Sequence, residues 1–161
     1  MTTLTASHRA DARLRELEIE LPHVPRPIAS FVPWRRDGDT IYLAGQTCEW
    51  NGSVVFKGKL GADYDLETGQ KAARICALNL IAALREALGG TLAPVSACLR
   101  LGGFVNCVPD YGHVPHVING ASDLMIELFG RQVGEHARTA IGVANLPQGA
   151  AVEVDAWFAV G

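Results

Sequence analysis

The C-terminal run VEVDAWFAV (152–160) alternates two sets of residues, Val152, Val154 and Ala156 against Glu153, Asp155 and Trp157. A period of two is the mark of an extended strand, whose successive side chains leave on opposite faces. The first set suits a core. The second is too apolar for a face that meets only water. Such a strand belongs to a sheet with helices on one side and another subunit on the other. A closed homo-oligomer is therefore expected, with interfaces that shelter a site.

The covering helices are readable. Ala72, Ile75, Cys76, Asn79, Ala82, Ala83 and Leu84 recur at helical spacing within 66–88, and Gly89-Gly90 stops them. A second packing helix is predicted over 117–129, ended by Gly130. A short helix fits 7–18, with Ser7 as N-cap. The segment LPHVPRP that follows is a stiff extended connector, because three prolines forbid regular helix. Strands are predicted at 31–35 and 40–46, joined through Asp37-Gly38, with a third short one at 53–57. A long strand at 95–107 bends at Gly102-Gly103, PDYGHVP is a loop, and the strands 138–144 and 151–160 are joined by NLPQG. The order is β-β-(β)-α-β-α-β-β. This predicts an α+β two-layer domain: one mixed sheet with two helices packed on one face. Residues 1–161 read as a single domain, with an N-terminal helical extension over about 1–26.

Composition narrows the function. With 161 residues and 48% hydrophobic content there is enough for one core. Fourteen basic against 17 acidic residues give a net charge of −3 without any basic block, so no nucleic-acid partner is expected. Cys48, Cys76, Cys98 and Cys107 lack CxxC spacing and sit in apolar contexts, as reduced structural thiols of a cytosolic protein do. No signal peptide and no apolar run of about 18 residues is apparent, so a cytoplasmic protein without a membrane span is expected.

Two charges inside the apolar C-terminal strands need explaining. Arg138 can fork onto a carboxylate through two parallel N–H···O bonds, either of a ligand or of an acid across a subunit boundary. Glu153, set among valines, has a raised pKa unless paired; it either holds or activates a water or neutralises Arg138. If the last two strands pair as a hairpin, both side chains project to one face. His113-x-x-His116, with Cys107 upstream, is a weak metal candidate: Pro115 interrupts the helix that would align the rings, and no acidic ligand is suitably spaced, so no metal is expected. GxSxG, P-loop and GxGxxG patterns are absent.

The segment HARTAIGVANLPQGAAVEVDA (136–156) resembles the C-terminal signature of the Rid, or YjgF, family of reactive-intermediate deaminases. IYLAGQT (41–47) and Ile118-Asn119 resemble further family motifs, in order, and the match runs from about 27 to 160. The resemblance implies a chorismate-mutase-like fold, a homotrimer with clefts between subunits, and no cofactor. It implies hydrolysis of 2-imino or enamine acids to 2-oxo acids and ammonia; some members are also credited with ribonuclease activity. In that picture Arg138 grips the substrate carboxylate and Glu153 orients or activates water. Asn119 adds a polar contact, Gly45 admits the ligand to the backbone, and Phe31 stands for the first-strand aromatic anchor. The chain departs from the pattern at Ala44 (a hydroxyl in the family), at Ala140 (a cysteine in active members) and at His136 (a proline). These losses leave carboxylate binding without turnover as the alternative reading. Trp34, Trp157 and the PDYGHVP loop are expected to shape the side-chain pocket.

Overall fold

The computed structural model describes residues 9–161; the expected cap Ser7 lies outside them. Helix α1 (Arg9–Glu16) is followed by β1 (Trp34–Asp37), β2 (Thr40–Thr47), a two-rung hairpin β3 (Glu49–Trp50) and β4 (Ser53–Val54), and the long helix α2 (Leu66–Ala87). Then come β5 (Val95–Asn106), α3 (Val114–Phe129), the single turn α4 (Arg131–Gly134), β6 (Ala137–Val143) and β7 (Val152–Val160). Five strands form one sheet in the order β1-β2-β7-β5-β6, antiparallel except for the β5–β6 pair. Helices α2 and α3 pack on one face of it, as the pattern of apolar residues requires, and the mixed α+β architecture is the expected one.

The two packing helices start where their sequences provide for it. The Asp65 carboxylate accepts the Thr68 N–H at 2.9 Å, capping α2. Helix α3 begins at Val114, three residues before the expected start. Pro115 occupies its first turn, where a missing N–H costs nothing, so it opens the helix rather than interrupting it. The two helices cross closely at Gly69 and Gly120: a Cβ on Gly120 would lie 2.0 Å from the Gln70 carbonyl oxygen. Beneath them Leu80, Ile81, Leu84, Ile118, Leu124 and Met125 meet Leu101 and Phe158 of the sheet, all fully buried. Burial of each such side chain stabilises the fold by about 1.5–3 kcal/mol. Helix α1 is clasped to this layer by Asp11, which accepts from the Thr91 hydroxyl at 2.6 Å and the Leu92 N–H at 2.8 Å.

Four expectations are corrected. The first strand begins at Trp34, not residue 31, so Phe31 lies on the proline-rich connector. The strand expected at 53–57 is only two residues long and pairs with β3 outside the main sheet. Strand β5 shifts register near Ala97 and Leu99 rather than bending at Gly102-Gly103. The last two strands do not form a hairpin: β5 lies between them, pairing with β6 on one side and β7 on the other. Consecutive strands are often not neighbours, and here the Pro147–Gly149 turn carries the chain past the end of β5.

Candidate functional site

The insertion of β5 decides where the two charges point. Arg138 is registered opposite Leu101, and Glu153 opposite Phe104, three residues farther along β5. Three residues of strand is an odd step, about 10 Å long, so the two side chains leave the sheet on opposite faces. Arg138 and Glu153 therefore do not meet within one protomer, and the expectation of a shared face is overturned. Two separate places result, each holding half of the expected residue set.

The first half-site is on the helix side of the edge strand β6. Nη1 of Arg138 donates to Asn119 Oδ1 at 2.9 Å and to Ser122 Oγ at 3.1 Å, and Nη2 donates to the Pro115 carbonyl at 3.0 Å. All three acceptors belong to α3, and all are neutral. Among the described residues Arg138 makes no ion pair. A guanidinium carries five N–H donors, so its Nε–H and one Nη2 N–H remain for a ligand. Ser122 is held in turn by His136, whose Nε2 lies 2.8 Å from Oγ while its Nδ1 lies 2.7 Å from the Gly134 carbonyl. Ala140, two residues beyond Arg138 on the same strand face, is half-buried beside Gly103.

The second half-site is on the other face of the sheet. Glu153 lies at a hollow of about 260 Å³ whose floor includes Gly45, Gln46 and Thr47 and whose walls include Phe31 and Ile28. Here Gly45 matters for space: a Cβ there would lie 3.1 Å from the Glu153 carboxyl. Burial, aided by nearby Asp155, pushes the Glu153 carboxyl above its ordinary pKa. Among the described residues it makes no ion pair. A half-buried carboxylate without a cation is a stronger base than an exposed one. The same face continues as rows of residues across the sheet: Tyr42–Trp157–Arg100 and Glu153–Phe104–Ile141. Trp157 packs edge-on against Tyr42 at 5.3 Å and lies beneath the Arg100 guanidinium, which is paired with Asp155 at 3.1 Å. Tyr42, Ile141 and Trp157 are exposed, so this is a broad, half-apolar surface that no helix covers among the described residues.

Thus the structure gathers Arg138, Asn119 and Ala140 in one place and Glu153, Gly45 and Phe31 in another. Trp34 and Trp157 do not line the hollow at Glu153, and the PDYGHVP loop borders a separate depression beside Lys59 and Cys107. Ser122 was not singled out from the sequence, although Asn119-Gly-Ala-Ser122 places two polar groups one helical turn apart, a spacing that can be read. Gln46, Thr47 and Gln148 carry no such signal. His113 and His116 stack edge to face at 5.9 Å, and no group of three or more metal-binding side chains gathers among the described residues.

Residues 11–156 match the family model described as "YjgF/chorismate_mutase-like, putative endoribonuclease". Protein TCP17 of Trypanosoma cruzi is 42% identical over 154 residues, 96% of each chain. The crystal structure of Atu1372 from Agrobacterium tumefaciens, a protein of unknown function, is 38% identical and superposes with a TM-score of 0.88, covering 97% of this chain and 95% of that one. A structure from Shewanella oneidensis described as a putative endoribonuclease is 30% identical with a TM-score of 0.89, covering 94% and 99%. The chain belongs to the YjgF/chorismate-mutase-like family.

Proposed function

We propose that the protein hydrolyses reactive 2-imino acids, and the enamines in equilibrium with them, to 2-oxo acids and ammonia. The observation that carries this reading is the uncompensated Arg138. A guanidinium braced by three neutral oxygens keeps its full charge and two free N–H groups, which suits a planar carboxylate. A structural ion pair would have put an acid there instead.

The chemistry asks little more. An iminium carbon is already electrophilic. With the carboxylate fixed by Arg138, water held by Glu153 attacks C2 and loses a proton to the carboxylate. That proton then passes to nitrogen, and the tetrahedral intermediate collapses as its hydroxyl gives up a proton to the freed Glu153 carboxylate, releasing the 2-oxo acid and ammonia. The raised proton affinity of Glu153 favours its taking a proton from water. Besides the attacking water, no acid or base other than Glu153 is needed for this balance.

The reading requires the two half-sites to come from different protomers. The half-apolar sheet face beside Glu153 supports this, being the surface on which another copy would bring its own edge strand. We therefore place the reaction in clefts of a homotrimer, the assembly that the family resemblance implies. Escherichia coli TdcF, a chain of this fold at 19% identity and a TM-score of 0.58, was crystallised with bound serine. A small amino acid in that fold is in keeping with a small carboxylate ligand here.

The test is 2-oxo acid formation from imino acids generated in situ by an amino-acid oxidase, in competition with semicarbazide. Release above the spontaneous rate, lost in Glu153→Gln, supports the reading. No acceleration across imino acids of several side chains refutes it. The second reading, carboxylate binding without turnover, is favoured by Ala44 and Ala140, where the family pattern carries a hydroxyl and a cysteine. It would appear as saturable 2-oxo acid binding, abolished in Arg138→Ala, with no rate.

A further inference from the structure

We propose that Ser122 and His136 form a positioning relay that aims the Arg138 guanidinium, with His136 held as the neutral Nδ1–H tautomer. The proposal rests on Arg138 being the carboxylate anchor, and goes beyond it by assigning two residues to which the family pattern gives no part.

For a neutral His136 the hydrogen-bond directions follow along the whole relay. The Gly134 carbonyl can only accept, so the 2.7 Å contact puts a proton on His136 Nδ1. A neutral imidazole with that proton has a bare Nε2, which can only accept. The 2.8 Å contact then makes the Ser122 hydroxyl the donor to His136. With its proton committed, Ser122 Oγ presents only lone pairs to Arg138, which donates to it from Nη1 at 3.1 Å. The far end is anchored as well: Gly134 is buried, and a Cβ on it would lie 2.4 Å from the Met125 carbonyl, so the turn sits hard against α3.

The relay has a consequence for the guanidinium. Asn119 and Ser122, one turn apart on α3, take both N–H groups of Nη1, and Pro115 takes one of Nη2. That fixes the plane and leaves the Nε–Nη2 side free for a carboxylate. Without the Ser122 lone pair, Nη1 keeps only Asn119 and the fork can rotate. An imidazolium at His136 would aim a second positive donor at the same serine oxygen as the Arg138 guanidinium, a like-charge arrangement that the neutral ring avoids. Asp123 and Glu135 also border the depression lined by Arg138, Asn119, Ser122 and His136, Glu135 being paired with Arg131 at 2.8 Å.

Two measurements decide the matter. Long-range ¹H–¹⁵N correlation spectra of the intact protein should show His136 protonated at Nδ1 and bare at Nε2; an Nε2–H tautomer overturns the relay. With 2-oxobutyrate as probe, Ser122→Ala and His136→Phe should each weaken binding about tenfold through loss of preorganisation, raising KM with little change in kcat. Ser122→Thr keeps the hydroxyl and His136→Gln keeps an acceptor in place of Nε2, so both should recover most of the loss. Melting temperatures recorded alongside separate positioning from folding. Wild-type affinity in Ser122→Ala and His136→Phe, while Arg138→Ala abolishes binding, overturns the relay alone. Wild-type affinity in Arg138→Ala overturns the anchor and the relay together.

Discussion

Replacement of Arg138 by alanine isolates the anchor. Of its five N–H groups three are committed to Asn119, Ser122 and Pro115, leaving two for a ligand carboxylate. A hydrogen bond to a charged group contributes about 1.5–3 kcal/mol. Because Arg138 is only half-buried, the lower end applies, and two bonds come to about 3 kcal/mol, or roughly 150-fold in Kd. The same substitution removes three tethers between β6 and α3, each worth about 1 kcal/mol or less, because the orphaned acceptors can turn to water. The melting temperature should fall by no more than about 10 °C. Calorimetric titration with 2-oxobutyrate reads the first effect and thermal denaturation the second. Arg138→Lys, which keeps the charge but not the fork, should fall between wild type and alanine. A Kd changed less than threefold in a folded Arg138→Ala protein would refute the assignment of the free N–H pair to a carboxylate.

Three further outcomes follow from the geometry. Gly45→Ala places a methyl 3.1 Å from the Glu153 carboxyl, the movable end of a side chain, so kcat should drop about tenfold or more while the melting temperature stays put. Gly120→Ala drives a methyl into the Gln70 backbone where α2 and α3 cross, and should cost about 3 kcal/mol in denaturant titrations. Asp11→Ala removes bonds to Thr91, Leu92 and Arg85, at a cost of about 2 kcal/mol near neutral pH. Burial alone would raise the Asp11 pKa, but those three partners outweigh it and hold it below 3.8. The stabilisation is therefore present above the unfolded value of 3.8 and lost as pH falls through the lower folded one. The gap between wild type and Asp11→Ala in thermal melts should close only in that acid range.

Period and punctuation made the elements legible. Alternation in 152–160 identified β7, and the spacing of Ala72, Cys76, Asn79 and Ala83 identified α2, because both record burial by a fixed repeat. The β1–β2 pairing through Asp37-Gly38 was legible, but the neighbours of β5 were not, since it pairs with both β6 and β7 through contacts far apart in sequence. That one topological fact sends Arg138 and Glu153 to opposite faces, and no local pattern carries it. The apolar run before Asp37-Gly38 reads as a strand from Phe31; instead the connector, bent at Ile28, Ala29 and Ser30, runs on through Pro33, and the Phe31 side chain falls at the hollow beside Glu153. Arg138 and Glu153 stand out as charges within apolar strands, whereas Asn119 and Gly45 came from motif resemblance. Their division into two half-sites came only from the fold. Ser122 is not legible because a serine inside a helix is ordinarily silent, and its partners, Arg138 on β6 and His136 just before that strand, lie off the helix.

The division into half-sites can be tested by complementation. Arg138→Ala and Glu153→Gln proteins, each inactive alone, are denatured together in equal amounts, refolded and assayed for 2-oxo acid release. If every cleft takes its guanidinium from one protomer and its carboxylate from the next, random assembly leaves about a quarter of clefts intact, and about a quarter of wild-type activity should return. A refolded mixture no more active than its two parents would contradict a site shared between chains.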